Sequence, residues 1–469
     1  MTKVKHAASL ISKTLGMFLQ SVITGSKLLI SWSKSRLSKK QFVLLSSILI
    51  GITVGIAAVL LKTFAHYIFL LATYKGFGDF KFIFLSLPLI GILLTVLVIK
   101  RFFKHKFEKG LSKIHYALDK EAGIIPKEQM YSQIITSSLT VGFGGSAGLE
   151  APIVITGAAF GSNYSQVFDL SPKERLLLLA CGIAAGIAAA FNAPISGVLF
   201  SLEVLLIDIS IAAFTPLIIA AATGALISHI ILNDEAILSI PMQLPFDYSN
   251  VPFYVLLGVF AGMISVYHSR VFTKVESLFR RLKVGAYTRV IIGGLFLAAL
   301  IFLFPPLFGE GYRSIKLLST PNPGDLLKNT LFEPFLNNEW IVLAFAGMCI
   351  FIKPVATAIT LGSGGNGGNF APSLFVGAFL GFFLSKFFVL TKLTILPVSN
   401  FALVGMAGIL SGLYHSPLTA IFLIAEITGG YTLMIPLMIV SSLSFAISRH
   451  FEPVPMDKRA LGHKTKNYV

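Results

Sequence analysis

Long apolar stretches separated by short polar segments follow one another along most of the chain. Several are long enough to cross a hydrocarbon layer of about 30 Å as a helix, which takes about 20 residues. Others are interrupted by glycine, proline or a carboxylate, so a series of uniform spanning helices does not fit. The pattern predicts an all-α integral membrane protein with tilted and discontinuous helices. The apolar runs cover residues 41–62, 82–99, 174–206, 210–232, 251–266, 288–308, 341–359, 370–396 and 417–448.

A Gly-rich segment that leads directly into an apolar helix occurs twice, at residues 144–152 (GGSAGLEAP) and 364–372 (GGNGGNFAP). Glycines at the start of a helix leave backbone N–H groups unpaired and free of Cβ bulk, at the positive end of the helix dipole, where an anion binds well. A glycine hinge would explain a single copy equally well. Two copies in corresponding places instead indicate a transport site.

A second pair of related segments indicates an internal duplication. Residues 182–204 and 405–427 correspond at an offset of 223, and each carries a glutamate nine residues after its proline. Packing of small residues would account for the glycines alone, but the matched carboxylates, Glu203 and Glu426, favour a duplication.

The duplication divides the chain into two membrane repeats, residues 41–230 and 251–450, joined by a linker at residues 231–250. A basic segment at residues 1–40 precedes them. A short cytoplasmic tail without regulatory domains, residues 451–469, is expected to follow them.

The net charge of +17 does not indicate nucleic-acid binding, because the basic residues lie mainly at the chain ends and in loops. Residues 1–40 contain eight Lys or Arg and no acidic residue. By the positive-inside rule, both termini are expected in the cytoplasm, which requires an even number of crossings of the plasma (inner) membrane. Residues 1–35 are expected to form an amphipathic helix that lies on the membrane lipid.

Glu150 stands at the start of the helix that follows the first Gly-rich segment, among uncharged residues. A carboxylate at membrane depth is costly and marks a functional site, although an acid also suits a helix N-terminus as a cap. Because the segment around it is repeated, we expect Glu150 to take part in transport.

These motifs resemble those of the CLC family of chloride channels and proton-coupled chloride exchangers. The resemblance covers residues 41–450 in the family order and rests on four motifs. They are GLEAP at residues 148–152, FNAP at 191–194, GNFAP at 368–372 and EITGGY at 426–431. The resemblance implies a homodimer in which each subunit has its own pore, built from two inverted-topology repeats.

The resemblance also implies which groups contact chloride or a similar small anion. Backbone N–H groups of Asn369 and Phe370 would face it from one side, and the segment from Gly148 to Glu150 from the other. The Tyr431 hydroxyl would donate a hydrogen bond without the full charge that would trap the ion. Glu150 would be the gate, since an ionised carboxylate competes with the anion for the same positive field and a protonated one swings away.

Several positions depart from the family pattern. Leu149 replaces the arginine usual before the gating acid, which removes a partner of the charged carboxylate. Lys109 aligns with the serine of the inner gate. It would either raise the local anion concentration or extend its ammonium into the cytoplasm, and Ser112 is the other candidate for the hydroxyl.

Val204 occupies the internal proton-relay position, where exchangers of the family carry a glutamate and channels tend to carry valine. A hydrocarbon side chain cannot relay a proton, so the sequence favours passive anion conduction. Proton/chloride exchange is the alternative, with Glu203, His115 or water as the inner acceptor.

Two other classes of function have less support. A cation or organic-solute carrier would use Glu150, Glu203 and Glu426 as cation ligands, but the unpaired N–H groups at the Gly-rich segments favour an anion. An enzyme is not expected, because neither a His-Glu-x-x-His nor a P-loop lysine motif occurs. No cofactor or metal is expected, since the histidines lack ligand spacing and both cysteines lie in apolar stretches.

Overall fold

The computed structural model describes residues 37–73, 81–103, 107, 109–205, 211–232, 245–320, 322–328 and 330–459. Sixteen α-helices make up most of this part of the chain, and an isolated antiparallel bridge joins Gly148 to Gly368. The amphipathic helix predicted at residues 1–35 lies outside the described residues. The same is true of the end of the predicted tail and of most of the linker predicted at residues 231–250.

Eight of the helices fall in the first predicted repeat. They are α1 (Lys39–Ala72), α2 (Lys81–Val98), α3 (Ser112–Lys120), α4 (Gln129–Gly142), α5 (Glu150–Val167), α6 (Pro172–Phe191), α7 (Pro194–Leu205) and α8 (Ile211–Leu232). A short π-helical turn, Ile99–Phe103, extends α2.

The other eight fall in the second predicted repeat. They are α9 (Val251–Arg281), α10 (Ala286–Leu303), α11 (Tyr312–Leu318), α12 (Glu339–Ser363), α13 (Phe370–Leu390), α14 (Val398–Tyr414), α15 (Pro417–Ile427) and α16 (Met434–Phe451). Short 3-10 helices lie at Tyr248–Asn250, Pro305–Leu307, Pro323–Leu327 and Glu333–Phe335.

Nine helical segments of the described chain are long and apolar enough to cross a membrane, and three further apolar helices are shorter. The short ones are α7, α14 and α15. This mixture of spanning and interrupted helices agrees with the predicted class of an all-α integral membrane protein.

Local sequence explains where the short helices begin. Ser171 caps the start of α6 in a capping box. α6 ends at Asn192 with a left-handed φ of 55°, which asparagine tolerates, and Pro194 then starts α7, where its missing N–H costs nothing. His415 and Pro417 repeat this arrangement between α14 and α15.

Glycines let the helices of each repeat touch backbone to backbone. Gly157 of α5 and Gly182 of α6 face each other so closely that a Cβ on either would overlap the carbonyl of the other. Gly377 of α13 and Gly405 of α14 face each other in the same way. The repeats matched in the sequence therefore make the same helix contact, which supports the division of the chain into two repeats.

The contacts between the two repeats are reciprocal. The Asn366 amide donates to Thr140 Oγ1 at 2.9 Å, and the Ser146 amide donates to Thr360 Oγ1 at 3.2 Å. When a loop of each repeat bonds to a threonine of the other repeat in this way, the two repeats are related by an approximate twofold axis. They fit the predicted pair of inverted-topology repeats.

Gly161 and Gly381 provide a test of this packing. A Cβ at either position would overlap a backbone carbonyl of the facing helix, that of Leu178 or Phe401. We expect Gly161→Ala and Gly381→Ala each to lower the free energy of unfolding by about 1–3 kcal/mol. Thermal unfolding in detergent, followed by size-exclusion chromatography, measures the change.

Gly285→Ala is the matched control for these variants, because a Cβ at Gly285 meets nothing nearer than Thr288 Oγ1 at 3.8 Å. Equal melting temperatures for the three variants would contradict the proposed packing.

Candidate functional site

The two Gly-rich segments meet face to face. Gly148 and Gly368 exchange two backbone hydrogen bonds, each of 2.8 Å. This pairing sets the N-terminus of α5 beside the N-terminus of α13. The positive ends of two helix dipoles therefore converge, as the repeated motif predicts.

The N-terminus of α13 keeps backbone amides available. Among the described residues, the N–H groups of Asn369 and Phe370 have no hydrogen-bond partner. The Asn369 side chain does not cap the helix but lies within hydrogen-bond distance of the buried ring of His268. The two amides can therefore bind a small anion.

Glu150 lies against these helix ends and is only 4% exposed. Its Oε1 accepts a hydrogen bond from the Tyr312 hydroxyl at 2.6 Å. Its Oε2 finds no partner of normal geometry in the described part of the chain, although it faces the Ala371 N–H at the start of α13. Gly148 makes room for it, since a Cβ there would overlap Oε2. The carboxylate thus lies where helix N-termini favour an anion.

Two cavities flank the first turn of α5. The Glu150 cavity, of about 660 Å³, is lined on this turn by Leu149 and Glu150. The Lys109 cavity, of about 430 Å³, is lined by Ala151 and by residues 367–369 of the second Gly-rich segment. One helical turn and the Glu150 carboxylate therefore separate the two cavities.

Basic side chains outnumber acidic ones in the Lys109 cavity. The basic ones are Lys109, Arg280, Arg289 and Arg459, and the acidic ones are Glu276 and Asp457. A cavity lined by an excess of one charge concentrates ions of the opposite sign. The Lys109 cavity therefore favours anions over cations.

Lys109 and Ser112 both line the Lys109 cavity. The Lys109 ammonium donates to the carbonyls of Gly364 at 2.6 Å and Gly365 at 2.8 Å. These carbonyls follow the C-terminus of α12, which is the negative end of its dipole. Lys109 is therefore tied to the second Gly-rich segment and does not extend freely into solvent.

Tyr431 lies in neither cavity. It follows the end of α15 and is 56% exposed. The structure therefore does not bring Tyr431, which the sequence analysis assigned to the anion site, to either cavity. The physical reason is that α15 ends at the protein surface, away from the paired helix N-termini.

Tyr414, the last residue of α14, lines the Lys109 cavity instead. It is 6% exposed, and its ring packs against Phe370 with the centroids 5.6 Å apart. Phe191, its counterpart in the first repeat, packs on the same ring at 5.5 Å. The sequence contained a signal for Tyr414: the matched position of the first repeat is a phenylalanine, which has no hydroxyl.

Glu203 and Glu426 cap each other's helices. The Glu203 carboxylate, on α7, accepts from two amides at the start of α15 at 2.7 and 3.0 Å. The Glu426 carboxylate, on α15, accepts from two amides at the start of α7 at 2.8 and 2.9 Å. Both carboxylates are therefore bound by helix N-termini and lie outside the linings of the two cavities. Val204 follows Glu203 near the end of α7.

Lys353 is a charged residue near the site that the sequence analysis did not identify. It lies within α12 and is fully buried. Its ammonium donates to the carbonyls of Leu307 at 3.2 Å and Gly309 at 2.9 Å, next to the wall of the Glu150 cavity. A lysine inside an apolar run could have been recognised, because a charge there is costly unless it has a role.

A family model described as "Voltage gated chloride channel" matches residues 91–449, which include both Gly-rich segments and both helix-capping glutamates. The chain belongs to this family. Its members are channels and transporters, so membership assigns the chain to anion transport by a multi-pass membrane protein.

Two relatives illustrate the match. A ClcB-like protein of Ralstonia nicotianae is 32% identical over 364 residues, which are 76% of this chain and 80% of that protein. The voltage-gated ClC-type chloride channel ClcB of Escherichia coli is 29% identical over 321 residues, 67% of this chain and 71% of that one.

A solved structure of a slow cyanobacterial Cl⁻/H⁺ antiporter has the same fold. It superimposes with a TM-score of 0.78 and covers 92% of this chain and 99% of its own, at 21% sequence identity. At that identity the likeness concerns the fold.

The reciprocal caps can be tested by Glu426→Ala. This variant leaves two amides at the start of α7 without their acceptor. Because hydrogen bonds to a charged group are lost, we expect the free energy of unfolding to fall by about 2 kcal/mol. Thermal unfolding in detergent measures the loss, with the exposed Glu333→Ala as the control. A melting temperature equal to that of the control would contradict the capping role.

Proposed function

We propose that this member of the voltage-gated chloride channel family carries chloride, or another small monovalent anion, between the two cavities that meet at Glu150. The observation that supports this most directly is the paired N-termini of α5 and α13. They present the free amides of Asn369 and Phe370 beside a buried carboxylate. Helix N-termini bind small anions without requiring a fixed full charge.

Glu150 is the gate in this proposal. Its carboxylate fills the position that the helix ends make favourable for an anion, so the ion and the carboxylate exclude each other. Protonation removes the negative charge and frees the position. Tyr312 holds the closed state by its hydrogen bond to Oε1. Anion flux is therefore expected to rise as pH falls.

Tyr414 takes the role that the sequence analysis gave to Tyr431. Tyr414 and Asn369 both line the Lys109 cavity, where a tyrosine hydroxyl can donate to an anion. Lys109 and the arginines of this cavity raise the local anion concentration, and Ser112 offers a second hydroxyl. Gly148 and Leu149 directly precede α5, and Leu149, its N-cap, lines the Glu150 cavity.

Passive conduction is the favoured mode. Val204 lacks a titratable group at the relay position. The neighbouring Glu203 carboxylate is engaged by the amides of α15. A group held by three hydrogen bonds, including one from the Thr419 hydroxyl, is poorly placed to exchange protons with a pathway.

Proton/anion exchange is the second candidate, and one observation favours it. His115 and Asp457 form a buried pair at 2.8 Å, and Asp457 lines the Lys109 cavity. Asp457 Oδ1 has no hydrogen-bond partner among the described residues. A histidine–carboxylate pair of this kind can accept and release a proton. The names of the relatives include both chloride channels and an antiporter.

The assembly we propose is a homodimer with one pathway per subunit. α7 and α15 present the exposed apolar side chains Ile195 and Leu418, which a second subunit would cover. We place both termini in the cytoplasm and the protein in the plasma (inner) membrane, from the basic residues at the chain ends.

Glu150→Gln tests the gate. A permanently neutral side chain mimics protonation, so we expect a higher anion flux near neutral pH and a weaker response to pH. Chloride efflux from reconstituted vesicles at a series of pH values measures both. An unchanged pH response would remove Glu150 from the gate.

The same vesicles separate conduction from exchange. Under a pH gradient, passive conduction leaves the reversal potential at the chloride equilibrium value, and exchange shifts it. A shift that disappears in His115→Ala would favour the second candidate.

Tyr414→Phe tests the anion ligand. Loss of one neutral hydrogen bond is worth about 1 kcal/mol, so we expect anion affinity to fall about fivefold. Chloride binding by isothermal titration calorimetry measures this change. Tyr431→Phe is the matched control and is expected to behave like the unmodified protein. The opposite result, a loss in Tyr431→Phe only, would restore Tyr431 to the anion site.

A further inference from the structure

Glu310 is a second carboxylate in the Glu150 cavity. It lies in the turn between α10 and α11, with Gly309 and Gly311 on either side, both with positive φ. The turn is fixed on both sides. Gly309 accepts a hydrogen bond from Lys353 at 2.9 Å, and its amide donates to the Gly144 carbonyl at 3.0 Å. The position of Glu310 is therefore set by the fold.

Glu310 Oε1 accepts a hydrogen bond from the Leu149 amide at 3.3 Å. Leu149 is the N-cap of α5, so this amide belongs to the helix end that would face an anion in the Glu150 cavity. Glu310 therefore takes up the Leu149 amide at the N-terminus of α5, while the Glu150 carboxylate lies against the start of α13.

A second observation points to the same site. Glu150 Oε2 is buried and finds no partner of normal geometry among the described residues. Two carboxylates thus share one cavity, and neither is paired with a cation in the hydrogen bonds that hold it. Two negative groups in one cavity are each easier to protonate than one alone.

Charged and titratable groups surround Glu310 on every packed element. From α5 comes Glu150, from α1 Lys62 and His66, from α12 Lys353, and from α11 Tyr312 and Arg313. Burial, and then the negative charge of Glu150, raise the pKa of Glu310, which lies outside the spanning helices. Its carboxyl therefore takes up a proton at a higher pH than an ordinary glutamate does.

We propose that Glu310 is a second protonatable gate: when ionised, its carboxylate blocks the α5 amide that an anion uses in the Glu150 cavity, and protonation releases that amide. The inference rests on the proposed function. Full conductance then requires two protons, one on each carboxyl, and the two titration steps belong to the pair.

The consequence for flux is a steep pH response. Above both titration steps, log flux is expected to change with pH with a slope that approaches two, because both carboxyls must be neutral. Removing either one leaves a slope of about one. Removing both leaves a flux that does not respond to pH over this range.

The test measures chloride efflux against pH in vesicles that contain the full-length protein, Glu150→Gln, Glu310→Gln or the double variant. We expect Glu150→Gln to keep a pH response that the double variant loses. Glu333→Gln is the control, because Glu333 is an exposed acid between α11 and α12 that lines neither cavity. Thermal unfolding checks that each variant folds.

Three outcomes separate the possibilities. A pH-independent flux in Glu150→Gln alone, or the same slope in Glu310→Gln as in the unmodified protein, would overturn the inference and leave Glu150 as the gate. No flux of chloride or of any other small monovalent anion in the folded, unmodified protein would overturn the proposed function itself. If Glu310→Gln fails to fold, Glu310→Asp serves instead: it keeps the charge on a shorter arm, and an unchanged slope and midpoint would contradict the block of the Leu149 amide.

Discussion

A backbone N–H group inside a membrane must find an acceptor, because no water is at hand and each unsatisfied group costs several kcal/mol. At the paired N-termini of α5 and α13, this constraint is only partly satisfied by the backbone itself. The Gly148–Gly368 bridge satisfies one amide on each side, and the next amides on the α13 side, those of Asn369 and Phe370, have no partner in the described part of the chain. The carboxylates of Glu150 and Glu310 lie near these helix ends.

The rest of the fold serves to hold two helix ends at this distance. Each end is carried by a helix that touches its neighbour backbone to backbone at glycines, so that a change of even one methyl group would push the helix away. The threonines at the ends of α4 and α12 then bind the loops of the opposite repeat. Close packing within each repeat and hydrogen bonds between the repeats thus both hold the N-termini of α5 and α13 in place.

The sequence was sufficient to predict the membrane class, the duplication and the approach of the two Gly-rich segments, because all three depend on local patterns that repeat. It could not show which tyrosine lines one of the two cavities. The motif around Tyr431 resembles the family pattern, but whether its side chain faces inward depends on how α15 ends, which only the tertiary structure determines. Tyr414 and Phe191 stand at matched positions and both pack on Phe370, and only the structure shows that Tyr414 lines a cavity. Glu310 could not be connected to the Gly-rich segments from the sequence, because its hydrogen bond with Leu149 joins residues 161 positions apart.

The reciprocal caps of Glu203 and Glu426 have a consequence for biogenesis. During synthesis, α7 is complete long before α15 leaves the ribosome, so the start of α7 must wait for an acceptor that is 230 residues downstream. If the two repeats are inserted one after the other, there is a stage at which the first repeat is in the membrane but the start of α7 still lacks its Glu426 cap. Chaperones or the insertion machinery would encounter the protein at that stage. The reciprocal caps of Glu203 and Glu426 form only in a late step, when the second repeat packs against the first.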